Sequence, residues 1–473
     1  MIAGVLGLVV TYALGWFPAA LVTRSALWAT ITAPLATGVL GALFVPLMIF
    51  LGAPFALVAI AVLLVAIGCA VWVLRRRETY LPAPPDGWPW AFAIPAAAII
   101  PLLTFRLPPV AWDARSIWWF HARFFLEGGG STVDALRNGA FEFSHPDYPP
   151  LSSAATALDW WFSGSQPLRG AQLQTTVLTV SAVIALGAVV WRLAGSRLSA
   201  AGAGLGALVV LGAYGVAGVS GGALAVGTSG YVDLLWAAAL AAAAIALLVA
   251  PTDDADAVRI GALCLAVAAS TKQEGLAAAA AVGVLALLRI VVTRRFRWPT
   301  LAWIGAAFVP VVLWLGVVVG YDVPTESRRL SELFGFESAV TDRFDPTWDA
   351  IWDRMWPLLI AALVITVAGI VLFRGDAKPR GRSAGGLLWA VWGATTVALF
   401  VAYLVSPLEI GFHLVTSVER TIIGPELVLV AIVAAWTVLG LAAFTERSDA
   451  ASAASSPVLE PSSVSEPDSR SNA

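Results

Sequence analysis

Charge is scarce in this chain. Asp, Glu, Lys and Arg make up 12% of the 473 residues, while 59% are hydrophobic. An ordinary soluble domain carries roughly a quarter charged residues, so a soluble globular fold is excluded. Lysine is almost missing, with only Lys272 and Lys378 present. Cysteine is limited to Cys69 and Cys264, both inside apolar runs, which rules out a disulfide framework and suits two small core residues. The net charge of −2 offers no bulk attraction to nucleic acid. No Gly-rich nucleotide-binding loop is present. Three histidines and scattered acids show no tight metal-ligand spacing. No cofactor is therefore called for, and a divalent metal is left open.

What the chain does have is long apolar runs. A helix of ~20 apolar residues crosses a bilayer, and runs that are continuously apolar point to helices instead of a barrel. The predicted spans are 2–22, 26–49, 54–74, 88–105, 168–191, 199–221, 231–250, 257–273, 275–293, 299–319, 356–373, 386–405 and 421–443, about thirteen in all. The run from Ile2 to Val22 has no basic n-region and reads as a retained helix, with a cleaved signal as the alternative. The segment 150–163 is apolar but short and is assigned to the interface. The fold class expected is all-α and polytopic.

Arginine sets the orientation. Arg24, the run Arg75–Arg77, Arg192 and Arg197, the group Arg294, Arg295 and Arg297, and the group Arg374, Lys378, Arg380 and Arg382 all fall on one side of these spans. The positive-inside rule makes that side cytoplasmic. Segments 106–167, 320–355 and 406–420 then face outward. Their Trp, Pro and mixed charge read as folded caps, since loops beyond ~15 residues in a compact protein are usually functional or disordered. Residues 444–473 are rich in Ser, Pro, Ala and acid and read as a disordered tail on the inner side. The alanine and arginine bias suggests a GC-rich bacterial genome, and hence a bacterial plasma membrane.

The chemistry-bearing residues collect in the outward segments. Asp113 follows Trp112 just past Pro108-Pro109, near Trp118 and Trp119. It reads either as a helix N-cap or as a carboxylate tuned for base catalysis at the membrane boundary. His145, Asp147 and Tyr148 lie among prolines, in a rigid turn or a sugar- or metal-binding loop. Asp233 starts a helix, where a carboxylate also has a structural explanation. Lys272-Gln273-Glu274 leaves no room for a loop between two apolar runs. Ionisable groups at such depth default to function; Lys272 then binds a phosphate that Glu274 orients, unless the two pair to close a tight hairpin. Arg420 precedes the last span and has the donor geometry for phosphate oxygens, or else pairs with Glu419 or snorkels.

In order, Trp112-Asp113, His145-Pro146-Asp147-Tyr148-Pro149, Tyr231-Val232-Asp233-Leu234, Thr271-Lys272-Gln273-Glu274-Gly275 and His413-Leu414 with Thr416, Ser417 and Arg420 resemble the bacterial membrane glycosyltransferases of the GT-C fold, in the protein-mannosyltransferase-like branch. The resemblance spans roughly residues 88–443, the expected catalytic module, with 1–87 as additional N-terminal helices. It implies a sugar donor on a polyprenyl-phosphate carrier, a glycan, lipid or protein acceptor, surrounding membrane lipids as partners, and no nucleic acid. It places Asp113 near the acceptor, where it would act as catalytic base; the mechanism this suggests sets Lys272 and Arg420 at the donor phosphate, and His145, Asp147, Tyr148, Asp233, Glu274 and His413 are the candidates for contacts with acceptor or sugar. The chain departs from the family in its helices before residue 88, its single acid after Trp112, and its Lys-Gln-Glu-Gly in place of the usual Lys-Asn-Glu-Gly or Lys-Pro-Glu-Gly. A multi-helix transporter or lipid flippase is the competing class, although transporters usually concentrate polar groups and broken helices at mid-membrane.

Overall fold

A computed structural model describes residues 2–82, 88–103, 109, 111–216, 227–325, 342–372, 379–406 and 408–455. The described residues form helices and connecting turns, with no strand. We number the helices α1 (Ile2–Thr23), α2 (Ala26–Phe50), α3 (Ala56–Arg75), α4 (Arg77–Tyr80), α5 (Ala93–Leu103), α6 (Trp119–Glu127), α7 (Gly129–Arg137), α8 (Leu151–Ser163), α9 (Leu168–Ala194) and α10 (Ser199–Val216). They continue with α11 (Asp233–Ala244), α12 (Ala255–Ala269), α13 (Gln273–Val292), α14 (Trp298–Gly320), α15 (Phe344–Leu372), α16 (Pro379–Val405), α17 (Ile410–Thr421) and α18 (Ile423–Ser455).

Ten of these helical segments are long and apolar enough to cross a membrane, so the chain is an all-α, multi-pass membrane protein. The other three expected spans are shorter. The 88–105 run gives an apolar helix over Trp90–Ile99, the 231–250 run one over Asp233–Val249, and the 257–273 run gives the 15-residue α12. Prolines 18, 34, 46, 310 and 357 lie inside long helices. Packing against neighbouring helices lets membrane segments accept them.

Three boundaries differ from expectation. α15 begins at Phe344 and takes in the end of the expected 320–355 loop, whose residues 326–341 lie outside the described set. The 406–420 segment is mostly the helix α17, started by the Glu409 carboxylate, which accepts from the N–H groups of Gly411 and Phe412. The tail expected to be disordered from residue 444 is helical through Ser455, because the alanines after the acid–base stretch 446–449 continue α18. Residues 456–473 lie outside the described set, as do Arg374 and Lys378 of the expected basic loop.

The expected outer cap 106–167 is folded, holding α6, α7, a 3-10 turn over Gly139–Ser144, and α8. Within it α8 is a core element, with Leu151 through Trp160 all buried. It packs against α1, α2, α6 and α9. The helices before residue 88 are thus part of the same packed body: α1 lies on α8 and α9, and α2 also meets α12 and α14.

Ion pairs mark one end of the bundle. Arg192 at the end of α9 pairs with Asp254, the N-cap of α12, at 2.7 Å. Arg295 reaches Asp253 at 3.6 Å, and Arg197 reaches Asp449 near the end of α18 at 3.2 Å. Arg289 donates to the backbone oxygens of Leu247 and Ala250 at 2.7 and 2.8 Å, pinning the short 233–249 helix to α13. Arg192, Arg197 and Arg295, expected on one side of the membrane, are thus tied by acids to the turn before α12 and to α18.

Candidate active site

The opposite ends of the same helices surround a cavity of about 890 Å³. Its wall includes Asp113, His145, Tyr148, Lys272, Glu274, His413 and Arg420, seven of the nine residues singled out in the sequence. They come from the folded segment 106–167, the α12–α13 junction and α17.

Asp113 lies in the first turn of a helix that runs through a π-helical stretch, Ala114–Trp118, into α6. Its carboxylate caps no backbone N–H, so the N-cap reading fails. It instead accepts from Arg420 Nη1 at 2.5 Å. Arg420 does not pair with Glu419, which is taken by Arg354. The Arg420 guanidinium lies 4.3 Å from the Tyr231 ring centroid, and its Nη1 is 3.9 Å from Asp233.

Lys272 is the N-cap of α13, three residues past the end of α12, with extended backbone. Its Nζ donates to Asp233 Oδ1 at 3.0 Å and lies 3.0 Å from Glu274 Oε1. The hairpin-closing pair is thus present, but within a larger network. Burial works to lower the Lys272 pKa, yet the carboxylates of Asp233 and Glu274 outweigh it and hold the amine well above its usual range. The chain Asp113–Arg420–Asp233–Lys272–Glu274 carries three acids and two bases, one net negative charge.

Two expected wall residues lie behind the wall. Asp233 is buried beneath Lys272 and Arg420, where a helix-starting carboxylate can face both cations at once. It positions them and does not reach the cavity. Asp147 is also buried. Its carboxylate accepts from Gln273 Nε2 and its backbone oxygen from Trp314 Nε1 at 2.9 Å, so the prolines around it fix a structural crosslink between the cap, α13 and α14.

What that crosslink presents is aromatic. His145 adopts a left-handed conformation with φ 50°, uncommon away from glycine. Its ring stacks on Tyr148 at 4.7 Å, and Tyr148 stacks on Trp118 at 5.6 Å. The residue before it, Ser144, is hydrogen-bonded to His121 Nε2 at 3.1 Å. Burial and the nearby His145 push the His121 pKa down to about 3, so this prop is a neutral imidazole.

Away from the charges the cavity becomes apolar. Ala277 and Ala278 of α13 face Ala398, Leu399 and Ala402 of α16 across it, with Trp236 and Pro425 also on the wall. α17 is the partition on one side. His413, Thr416, Ser417 and Arg420 line the cavity, Phe412 sits on its rim, and Val415 is 83% exposed on the outer face. Tyr403 ties α16 to α17 and its end, with its hydroxyl 2.8 Å from Ser417 and 2.7 Å from Thr421. Sequence reasoning missed Tyr403 and Tyr231, whose roles come from what they touch. Among the described residues no group of three His, Cys, Asp or Glu could hold a metal ion. No family model, curated protein or solved structure matches the chain.

Proposed function

We propose that the chain is a membrane glycosyltransferase that moves a sugar from a polyprenyl-phosphate carrier to an acceptor, with the cavity opening on the extracytoplasmic side. One observation carries this reading: a single cavity joins an ionic end, with Asp113, Lys272, Glu274 and Arg420, to an apolar arm between α13 and α16. That is the shape of an amphipathic ligand with an anionic head and a hydrocarbon chain. The exposed apolar face of α17 adds a one-helix boundary between bilayer and cavity.

The residues then divide the work. The phosphate of the carrier is the leaving group, so no nucleotide is required. Lys272 and Arg420 hold the phosphate as its charge grows on departure. Both cations are already paired, so an arriving phosphate competes with carboxylates for them. Once it engages Arg420, Asp113 is released from its partner. The acceptor hydroxyl attacks the anomeric carbon, the bond from that carbon to the phosphate oxygen breaks, and the hydroxyl proton passes to Asp113. Positioned base catalysis contributes typically ~10²–10⁴-fold. A single displacement inverts the anomeric centre. The aromatic column ending in His145, with Glu274 on the same wall, borders the space left for sugar and acceptor.

The test uses the purified full chain in nanodiscs with undecaprenyl phosphate and with a radiolabelled sugar on the same carrier. The reading expects saturable carrier binding that Arg420→Ala weakens, and label moved from carrier to material of a bacterial envelope fraction. A flippase would move the carrier between leaflets with its sugar intact. Absence of saturable carrier binding would overturn the proposal.

A further inference from the structure

Away from the cavity, one acid has no counterpart. Asp159 sits on α8 with 0% exposure, and neither of its carboxylate oxygens has a hydrogen-bond partner among the described residues. The helices around it close in through glycine. A Cβ built on Gly7 of α1 would lie 2.3 Å from Asp159 Oδ1, and one on Gly170 of α9 would lie 3.3 Å from Oδ2. Gly4 continues the seam, since its Cβ would meet the Gly170 Cα at 2.9 Å. α1 and α9 therefore touch each other and the carboxyl with no side chain between. Ser152 and Thr156, at one- and two-turn spacing along the same face of α8, are likewise buried with unpartnered hydroxyls.

The charged groups on every helix packed against α8 are engaged elsewhere or distant. α1 offers only Tyr12, whose hydroxyl donates to the Thr30 oxygen, and α2 has no titratable residue. On α9, Arg169 donates to Gln172 Oε1 at 2.9 Å, and Arg192 is at the far end with Asp254. On α6, Arg123 donates to Gln166, His121 holds Ser144, and Glu127 at the helix end is itself an acid and offers no counter-charge. An isolated carboxylate in such surroundings is costly, whereas a carboxylic acid is tolerated.

We propose that Asp159 is a proton-binding site. Its neutral acid locks α1 and α9 onto α8, and loss of the proton loosens that junction. Burial pushes its pKa up to about 7, which supports the neutral form. The lock is connected to the cavity wall, because the α8 N-terminal residue Leu151 donates its N–H to the Ser270 oxygen at 2.9 Å, two residues before Lys272. Outer-side acidity near neutrality thereby reaches the helix that braces Lys272.

Linkage fixes the sign. The unfolded or opened form releases its proton at about 3.8 and the closed form at about 7. Between those values the closed form keeps a proton the open form has lost, so stability of the junction falls as pH rises and levels off above about 7. The experiment compares wild type with Asp159→Asn, full-length in nanodiscs. The infrared difference spectrum should show a protonated-carboxyl stretch at acidic pH that titrates away near neutrality. Hydrogen exchange of α1, corrected for intrinsic rate, should lose protection by up to about tenfold per pH unit in this window in wild type, and much less in the variant. Should Asp159→Asn not fold, Asp159→Ser serves the same comparison. No protonated-carboxyl band at acidic pH overturns the site, and a band without a pH response of α1 overturns the lock.

Discussion

The two ends of the helix bundle use the same ion-pair chemistry for different purposes. At the basic end, Arg197 and Asp449 are 75% and 61% exposed, and Arg295 and Asp253 are 40% and 52% exposed. Such pairs are screened and contribute little, typically about 0–1 kcal/mol. They tie neighbouring segments together at the surface. At the cavity end, Lys272 and Asp233 are 8% and 3% exposed, and the network has one acid too many. Pairs of this kind are held by mutual dependence: desolvation is tolerable only while every partner stays. The function proposed above, which needs an anion accepted and a carboxylate released, calls for that second arrangement.

The comparison can be broken most completely by topology. Cysteine at Glu142, in the cap by the cavity, should be labelled by an impermeant reagent in intact cells, and cysteine at Arg197 should not. The reverse pattern would put the cavity on the wrong side for a lipid-linked donor. Next is the base. Asp113→Asn keeps an acceptor for Arg420 and should leave expression and thermal stability intact, while transfer from the labelled carrier falls by ~10²–10⁴-fold. Near-normal turnover would remove Asp113 from the chemistry.

Lys272→Ala sharpens the contrast between the ends. It leaves buried Asp233 with Arg420 alone, 3.9 Å away, so a stability loss of up to about 3–5 kcal/mol is expected, visible as a fall in Tm. Adding Asp233→Asn should recover most of that loss but not carrier affinity, because only the cation touches phosphate. Arg420→Ala should weaken undecaprenyl phosphate binding by roughly 1.5–3 kcal/mol, the worth of a charged hydrogen bond. Full recovery of binding in the Lys272→Ala/Asp233→Asn protein would assign Lys272 a structural role alone. The smallest effect belongs to the basic end. Arg192→Ala should cost about 1 kcal/mol or less and leave carrier binding unchanged.

Much of this was legible in the sequence. Unbroken apolar runs identified the ten long helices, and the polar connectors between them marked out the residues that line the cavity. Asp113, Lys272 and Arg420 could be nominated together for that reason, although 307 residues separate Asp113 from Arg420. What sequence did not show is which residue answers which. Local spacing offered Glu419 to Arg420 and an N-cap to Asp113; three-dimensional packing chose their mutual pair. Asp147 and Asp233 went behind the wall for the same reason, since a turn or helix start says nothing of what lies in front of it. Asp159 was invisible because its setting depends on Gly4 and Gly7 of α1, far back in the chain, closing on Gly170 of α9. α17 was hidden because an amphipathic helix of 12 residues is too polar for a span and too short to stand out in a loop.

The junction between α12 and α13 has a further consequence for how the protein could change over time. Only Ser270, Thr271 and Lys272 separate the two helices, and Gly275 admits the Ala268 oxygen at a distance where a Cβ would lie 2.4 Å away. Inserting one residue after Gln273 would turn the following helix by about 100°, swinging Glu274 and Gly275 off their partners while Lys272 stayed behind. Substitution can tune this junction, but gain or loss of length would dismantle it.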